Sequence, residues 1–181
     1  MKRFAVLIVS LALLLLSACT VEQEKAALRY GKTENGRYYN ESASLCFVLP
    51  SDWEQRETAW DMEAQRTDGT ACVGVLLQSL GELSGEFIDG EQYRELMAGR
   101  VEADMEKAGY AEISVEERTA ALRGKSIPAL YLTAQAQVGE NFFPYYMLLC
   151  YERIGNDVLT VTVQSFYADE TEALLALFTA A

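Results

Sequence analysis

The sequence has no histidine. That absence removes Ser-His-Asp and Cys-His nucleophilic sites, and with them the commonest zinc and iron ligand sets. Proline is scarce, at 3 of 181 residues, and the 12 glycines are a moderate share, so the composition is that of a folded chain. Positive charge is the minority sign: 15 Lys and Arg stand against 27 Asp and Glu, for a net charge of −12. Such a polyanion is repelled by phosphate backbones and anionic headgroups, which argues against nucleic acid as a partner and against membrane binding through a basic patch. A bilayer-spanning run is missing too. The one long apolar stretch, residues 4–16, stops short of the roughly 20 residues that cross about 30 Å of hydrocarbon.

What is present at the start is an export signal. Met1, Lys2 and Arg3 form a short basic opening, and the apolar run that follows carries Ser10 as its only polar residue. It ends in Leu16-Ser17-Ala18-Cys19, which resembles a lipobox: an aliphatic residue, two small residues, then a cysteine. The resemblance implies a signal peptide over 1–18, cleavage between Ala18 and Cys19, and lipid on the Cys19 thiol. It places the mature chain on the outer side of a cell membrane, with the lipid as its membrane contact. Two acyl chains give stable residence where one would be marginal. Loss of Lys2 and Arg3 with the signal takes the net charge to −14.

Residues 19–36 are then a lipidated N-terminus and polar tether, and 37–181 one globular domain. The 17 residues of 20–36 reach on the order of 55 Å when extended. Strands are expected at 37–41, 44–49, 58–66, 71–79, 111–120, 126–138, 142–153 and 157–166. They are separated by turn signals such as Asp68-Gly69, Arg123-Gly124-Lys125 and Gly155-Asn156-Asp157. The short turns predict a largely antiparallel sheet. A helix is expected over 91–108, with Asp89 as cap, Gly109 closing it, and Tyr93, Leu96, Met97, Val101, Met105 and Ala108 on its apolar face. A second begins at Asp169, where Asp169 and Glu172 form a capping-box-like pair. The runs 71–77 and 142–151 are apolar without alternation, so both sheet faces should be covered. The expected fold is α+β (α/β in the broad sense), an antiparallel sheet between helices in an α/β/α sandwich.

Tyr39-Asn40, followed by Leu45-Cys46-Phe47-Val48-Leu49-Pro50-Ser51-Asp52-Trp53, resembles the opening of PsbP-like domains. The order of the later elements, a middle helix, a three-stranded meander through Leu122-Arg123-Gly124-Lys125 and a closing helix over 169–179, is similar as well. The resemblance covers roughly 37–179 and implies a non-enzymatic fold used for protein contacts and sometimes for metal ions. The metal-binding histidines of the photosynthetic members have no counterpart here, so no metal site is carried over.

Beyond Cys19 the cysteines are Cys46, Cys72 and Cys150, each in an apolar strand-like stretch. Buried core thiols are the leading expectation, and a bridge between two of them the alternative. Trp53 and Trp60 are read either as plugs at the core edge or as binding residues, and Tyr145 and Tyr146, with Phe142, Phe143 and Tyr151, either as core or as a partner platform. Gly81 to Glu91 carries four acids and three glycines, but lacks the Asp/Asn alternation of a calcium loop. No spacing singles out a carboxylate pair for glycoside hydrolysis. The sequence therefore reads as a non-enzymatic envelope lipoprotein without cofactor, whose domain contacts another protein. A small-ligand or divalent-cation module is the alternative, and a carboxylate-dependent hydrolase a third reading.

Overall fold

The computed structural model describes residues 31–79 and 89–181. The signal segment, Cys19, the tether up to residue 30 and the acidic stretch 81–88 lie outside the described residues. In chain order the elements are β1 (Lys32–Glu34), β2 (Arg37–Asn40), β3 (Leu45–Val48), β4 (Trp53–Gln55), β5 (Met62–Arg66), β6 (Ala71–Ser79), α1 (Gly90–Lys107), β7 (Ala111–Leu122), β8 (Lys125–Val138), β9 (Asn141–Ile154), β10 (Asp157–Phe166), α2 (Thr171–Leu175) and β11 (Phe178–Ala180).

They form two antiparallel sheets, one of seven strands ordered β4-β5-β6-β10-β9-β8-β7 and one of four ordered β1-β2-β3-β11. The large sheet is mostly a meander of hairpins. Its β7–β8 turn places Arg123 (φ 53) and Gly124 (φ 75) in the left-handed region, as a type I′ turn requires. Arg123 tolerates that backbone while its buried guanidinium pairs with Glu152, which Lys125 also contacts at 3.1 Å.

Each face of the large sheet carries its own core. On one, Tyr93, Val101 and Met105 of α1 pack on Leu130, Leu132, Tyr145, Met147, Leu149 and Tyr151. On the other, Tyr38, Leu45, Phe47 and Phe178 of the small sheet, with Leu174 and Leu175 of α2, pack on Val73, Val75, Tyr131, Leu148, Leu159 and Val161. Each such buried side chain contributes about 1.5–3 kcal/mol over an exposed one. The non-alternating strands are thus covered on both faces, except at the start of β9, where Phe142 is exposed and Pro144 and Tyr146 are half-buried. Helices do not cover both, however, and this corrects the α/β/α sandwich: one cover is α1, the other a second sheet carrying a single short helix.

The local differences have local causes. α1 follows its expected signals, with Asp89 accepting from the Glu91 and Gln92 amides at 2.9 and 3.0 Å. Leu96 is nonetheless 39% exposed, while Arg94 is buried and bridges Glu91 and Glu117. The expected strand 58–66 begins only at Met62, after a short β4, and the first strand lies inside the segment read as tether. The closing helix is five residues rather than the stretch 169–179. Asp169 accepts from the Thr171 amide and hydroxyl at 3.0 and 2.7 Å, and Phe178 continues as a strand on β3 because its ring packs 5.1 Å from that of Phe47.

Candidate functional site

The small sheet and α2 leave part of the large sheet bare. Direct cross-strand partners share a face, so Ser114, Thr133 and Tyr146 form one row, Gln135 and Pro144 a second, and Gln137 and Phe142 a third. Ser114, Gln137 and Phe142 are exposed, and Thr133, Gln135, Pro144 and Tyr146 are half-buried. A depression of about 150 Å³ opens here between Glu112, Thr133, Gln135, Pro144 and Tyr146. Metabolite sites occupy roughly 300–1,000 Å³, so this hollow suits one inserted side chain better than a whole small molecule.

Rings gather at the same end of the sheet. Phe142 is 55% and Tyr167 59% exposed, and Tyr167 meets Phe143 edge-on with centroids 5.1 Å apart. Tyr167 adopts φ 71, unusual for a bulky residue, and its amide donates to the Pro144 carbonyl at 2.9 Å. Beneath the cluster Tyr145 is buried between Tyr110 and Phe166, at 4.8 and 5.1 Å.

A charged group borders the strip. Arg118 lies 3.5 Å above the Tyr131 ring and donates to Glu116 at 2.9 Å, while the Tyr131 hydroxyl donates to Asp169 at 2.6 Å. Burial, and then the bond to the Asp169 carboxylate, push the Tyr131 phenol up to about 12. Burial raises the Asp169 carboxyl, but hydrogen bonds from Tyr131 and Thr171 and the Arg118 charge outweigh it, and the group sits below its ordinary value. Next to it Arg66 donates to Glu170 at 2.7 Å and holds that carboxyl low as well.

Of the four residues singled out in the sequence, only Tyr146 lies in the strip. Trp53 is 7% exposed, packed between Phe47 and the Arg66 guanidinium. Trp60 is half-buried against Gly74, and Tyr145 belongs to the core beneath α1. Phe142 and Phe143 were marked by the aromatic run; Tyr167, Tyr131, Arg118 and Asp169 were not, since their grouping depends on strand register. Cys46, Cys72 and Cys150 are free thiols, of which Cys72 is only half-buried. Burial and the Glu63 charge push the Cys72 thiol up to about 11, which leaves it a poor nucleophile.

A second, open groove of about 370 Å³ runs over the outer face of the small sheet, lined by Glu34, Asn35, Arg37, Tyr39 and Val48. Among the described residues, no group of three or more His, Cys, Asp or Glu is placed to hold a metal ion, and no helix is long and apolar enough to cross a membrane.

No protein-family model matches the chain, a PsbP-like one included, and no curated protein matches it. Solved structures give distant likenesses. LpqN, involved in cell envelope biogenesis of Mycobacterium tuberculosis, is 13% identical over 75% of this chain and 82% of that one, with a TM-score of 0.46. A Bacteroides thetaiotaomicron protein is 12% identical over 82% of this chain and 49% of its own, with a TM-score of 0.43, so this chain spans about half its length. A Pseudomonas aeruginosa protein of unknown function, described as a putative regulator, is 13% identical over 69% and 79%, at 0.33. At these scores none of them carries an argument about this chain.

Proposed function

We propose that the chain is an extracytoplasmic lipoprotein, anchored through Cys19, whose domain binds another envelope protein without catalysing a reaction. The observation that carries this reading is the exposed Phe142, on the same face and strand as a depression sized for one side chain, with the exposed Tyr167 against Phe143 at the same end of the sheet. Aromatic rings around a small hollow with a polar border are what protein partners dock on. The lipid holds the domain at the membrane, and its negative charge turns it toward proteins rather than anionic lipid.

A photo-crosslinking residue in place of Phe142, expressed in intact cells, tests it against the same residue in place of Glu102, exposed on α1. A discrete partner captured from position 142 and not from 102 supports the reading, and equal or no capture overturns it. Labelled palmitate tests the anchor: incorporation is expected, and it should vanish with Cys19→Ala. The second reading, a small-ligand module, rests on the groove beside Arg37 and Tyr39, whose volume falls in the range of ligand sites.

A further inference from the structure

Among the described residues, strand β7 is the edge of the large sheet and pairs only with β8. Its register shift lies between Ala111 and Ser114, so Ser114 to Leu122 is an unbroken strand with one free side. The two-residue turn at Arg123-Gly124 makes Leu122 and Lys125 a hydrogen-bonded pair, and the alternation of an antiparallel ladder then directs residues 120, 118 and 116 at β8. Residues 115, 117, 119 and 121 present their N–H and C=O groups outward. An edge this long is a template for another strand unless something guards it.

The charges along it do not guard it against one partner, a second copy of itself. We propose that two copies of this chain join β7 to β7 antiparallel, about a two-fold axis through Glu117, making one continuous sheet. In that register residue 116 faces 118 of the other copy at non-hydrogen-bonded positions, where side chains come closest. The Glu116–Arg118 pair, 2.9 Å apart within one strand, becomes a ring of two carboxylates and two guanidinium groups. The repulsive contact is Glu117 against Glu117. Arg94 already holds that carboxylate at 2.7 Å, and its buried Nε has no hydrogen-bond partner among the described residues. Val115 faces Thr119 of the other copy, which adds no charge. An edge guarded by like charges would repel its own copy; here the charges on the face of Glu116 and Arg118 cancel in pairs under a two-fold.

The test uses the full chain in its membrane with Glu117→Cys, because facing residues at the centre of the ladder lie about 5.5 Å apart by Cα, within disulfide reach. Mild oxidation is expected to give a covalent dimer, absent in the parent chain, where Cys46, Cys72 and Cys150 remain as controls, and absent with Glu102→Cys. Adding Glu116→Arg or Arg118→Glu alone should lower the yield about tenfold, since two attractions become two repulsions, and adding both should restore it. Thr119→Pro removes an outward N–H, leaves the β8 ladder whole, and should abolish the dimer at unchanged thermal stability. Absence of the dimer with Glu117→Cys, equal yield from Glu102→Cys, or a yield indifferent to the charge swaps overturns the proposal. Its failure leaves the partner reading at Phe142 untouched, since β7 lies at the sheet's edge and Phe142 on β9.

Discussion

Tyr131 gives its hydroxyl hydrogen to Asp169 across 2.6 Å, tying the middle of β8 to the entry of α2. Asp169 in turn caps that entry through Thr171, so one carboxylate holds three donors in place. Tyr131→Phe keeps the ring under Arg118 and deletes only the donor. The variant should be less stable by about 2 kcal/mol, the worth of a hydrogen bond to a charged acceptor, as read from the urea midpoint at unchanged slope.

Asp169 and Glu170 both ionise more readily folded than unfolded. Their contribution is complete above the unfolded carboxylate values, about 4, and is lost as pH falls through the lower native values. Thermal stability should therefore decline from about pH 4 downward, and Glu170→Gln should remove part of that slope. At neutral pH the same substitution should cost under about 1 kcal/mol, because the Arg66–Glu170 pair is partly exposed.

Gly74 is a packing requirement of Trp60. A Cβ there would come within 2.9 Å of Trp60 Cε3 and 3.0 Å of Thr162 Cγ2. Gly74→Ala should cost about 1–3 kcal/mol by overpacking and shift the tryptophan fluorescence. In a Trp60→Ala background the same change should cost clearly less. Equal cost in both backgrounds would show the indole is not the obstacle.

Core and surface aromatics should separate cleanly. Trp53→Ala should lower stability by about 3–5 kcal/mol, as for a buried indole. Tyr167→Gly relieves a positive φ while losing the contact with Phe143, so its melting temperature should move little. The Tyr167 variant is the one expected to lose the partner captured at Phe142. A destabilised Tyr167→Gly would place that ring in the core instead.

The strands of the meander are legible because long apolar runs meet short turn signals, as at Arg123-Gly124, and α1 is legible from Asp89. The three-residue strands β1, β4 and β11 are not. Three residues carry no period; β1 and β4 lean on the next strand in the chain, and β11 exists only because the distant β3 offers a ladder. Leu174, Leu175, Leu177 and Phe178 fit a helix by spacing, yet Phe178 gains more from Phe47 than from a further turn. The site follows the same division. Tyr146 and Phe142 stand in an aromatic run that draws notice, whereas Tyr131, Arg118 and Asp169 converge only through register, and Tyr167 owes its exposure to a backbone angle that no pattern announces.

The pairing of β11 with β3 joins residues from nearly opposite ends of the described chain, and the Ala181 amide adds a bond to the Ser44 carbonyl. β3 therefore stays one-sided, with Leu45 and Phe47 lacking part of their cover, until residues 178–180 are available. Such closure is slow, since loop entropy must be lost before the contact rewards it. A chain exported N-terminal side first would thus emerge with this sheet still open, and it would lock shut only once residues 178–180 had crossed as well.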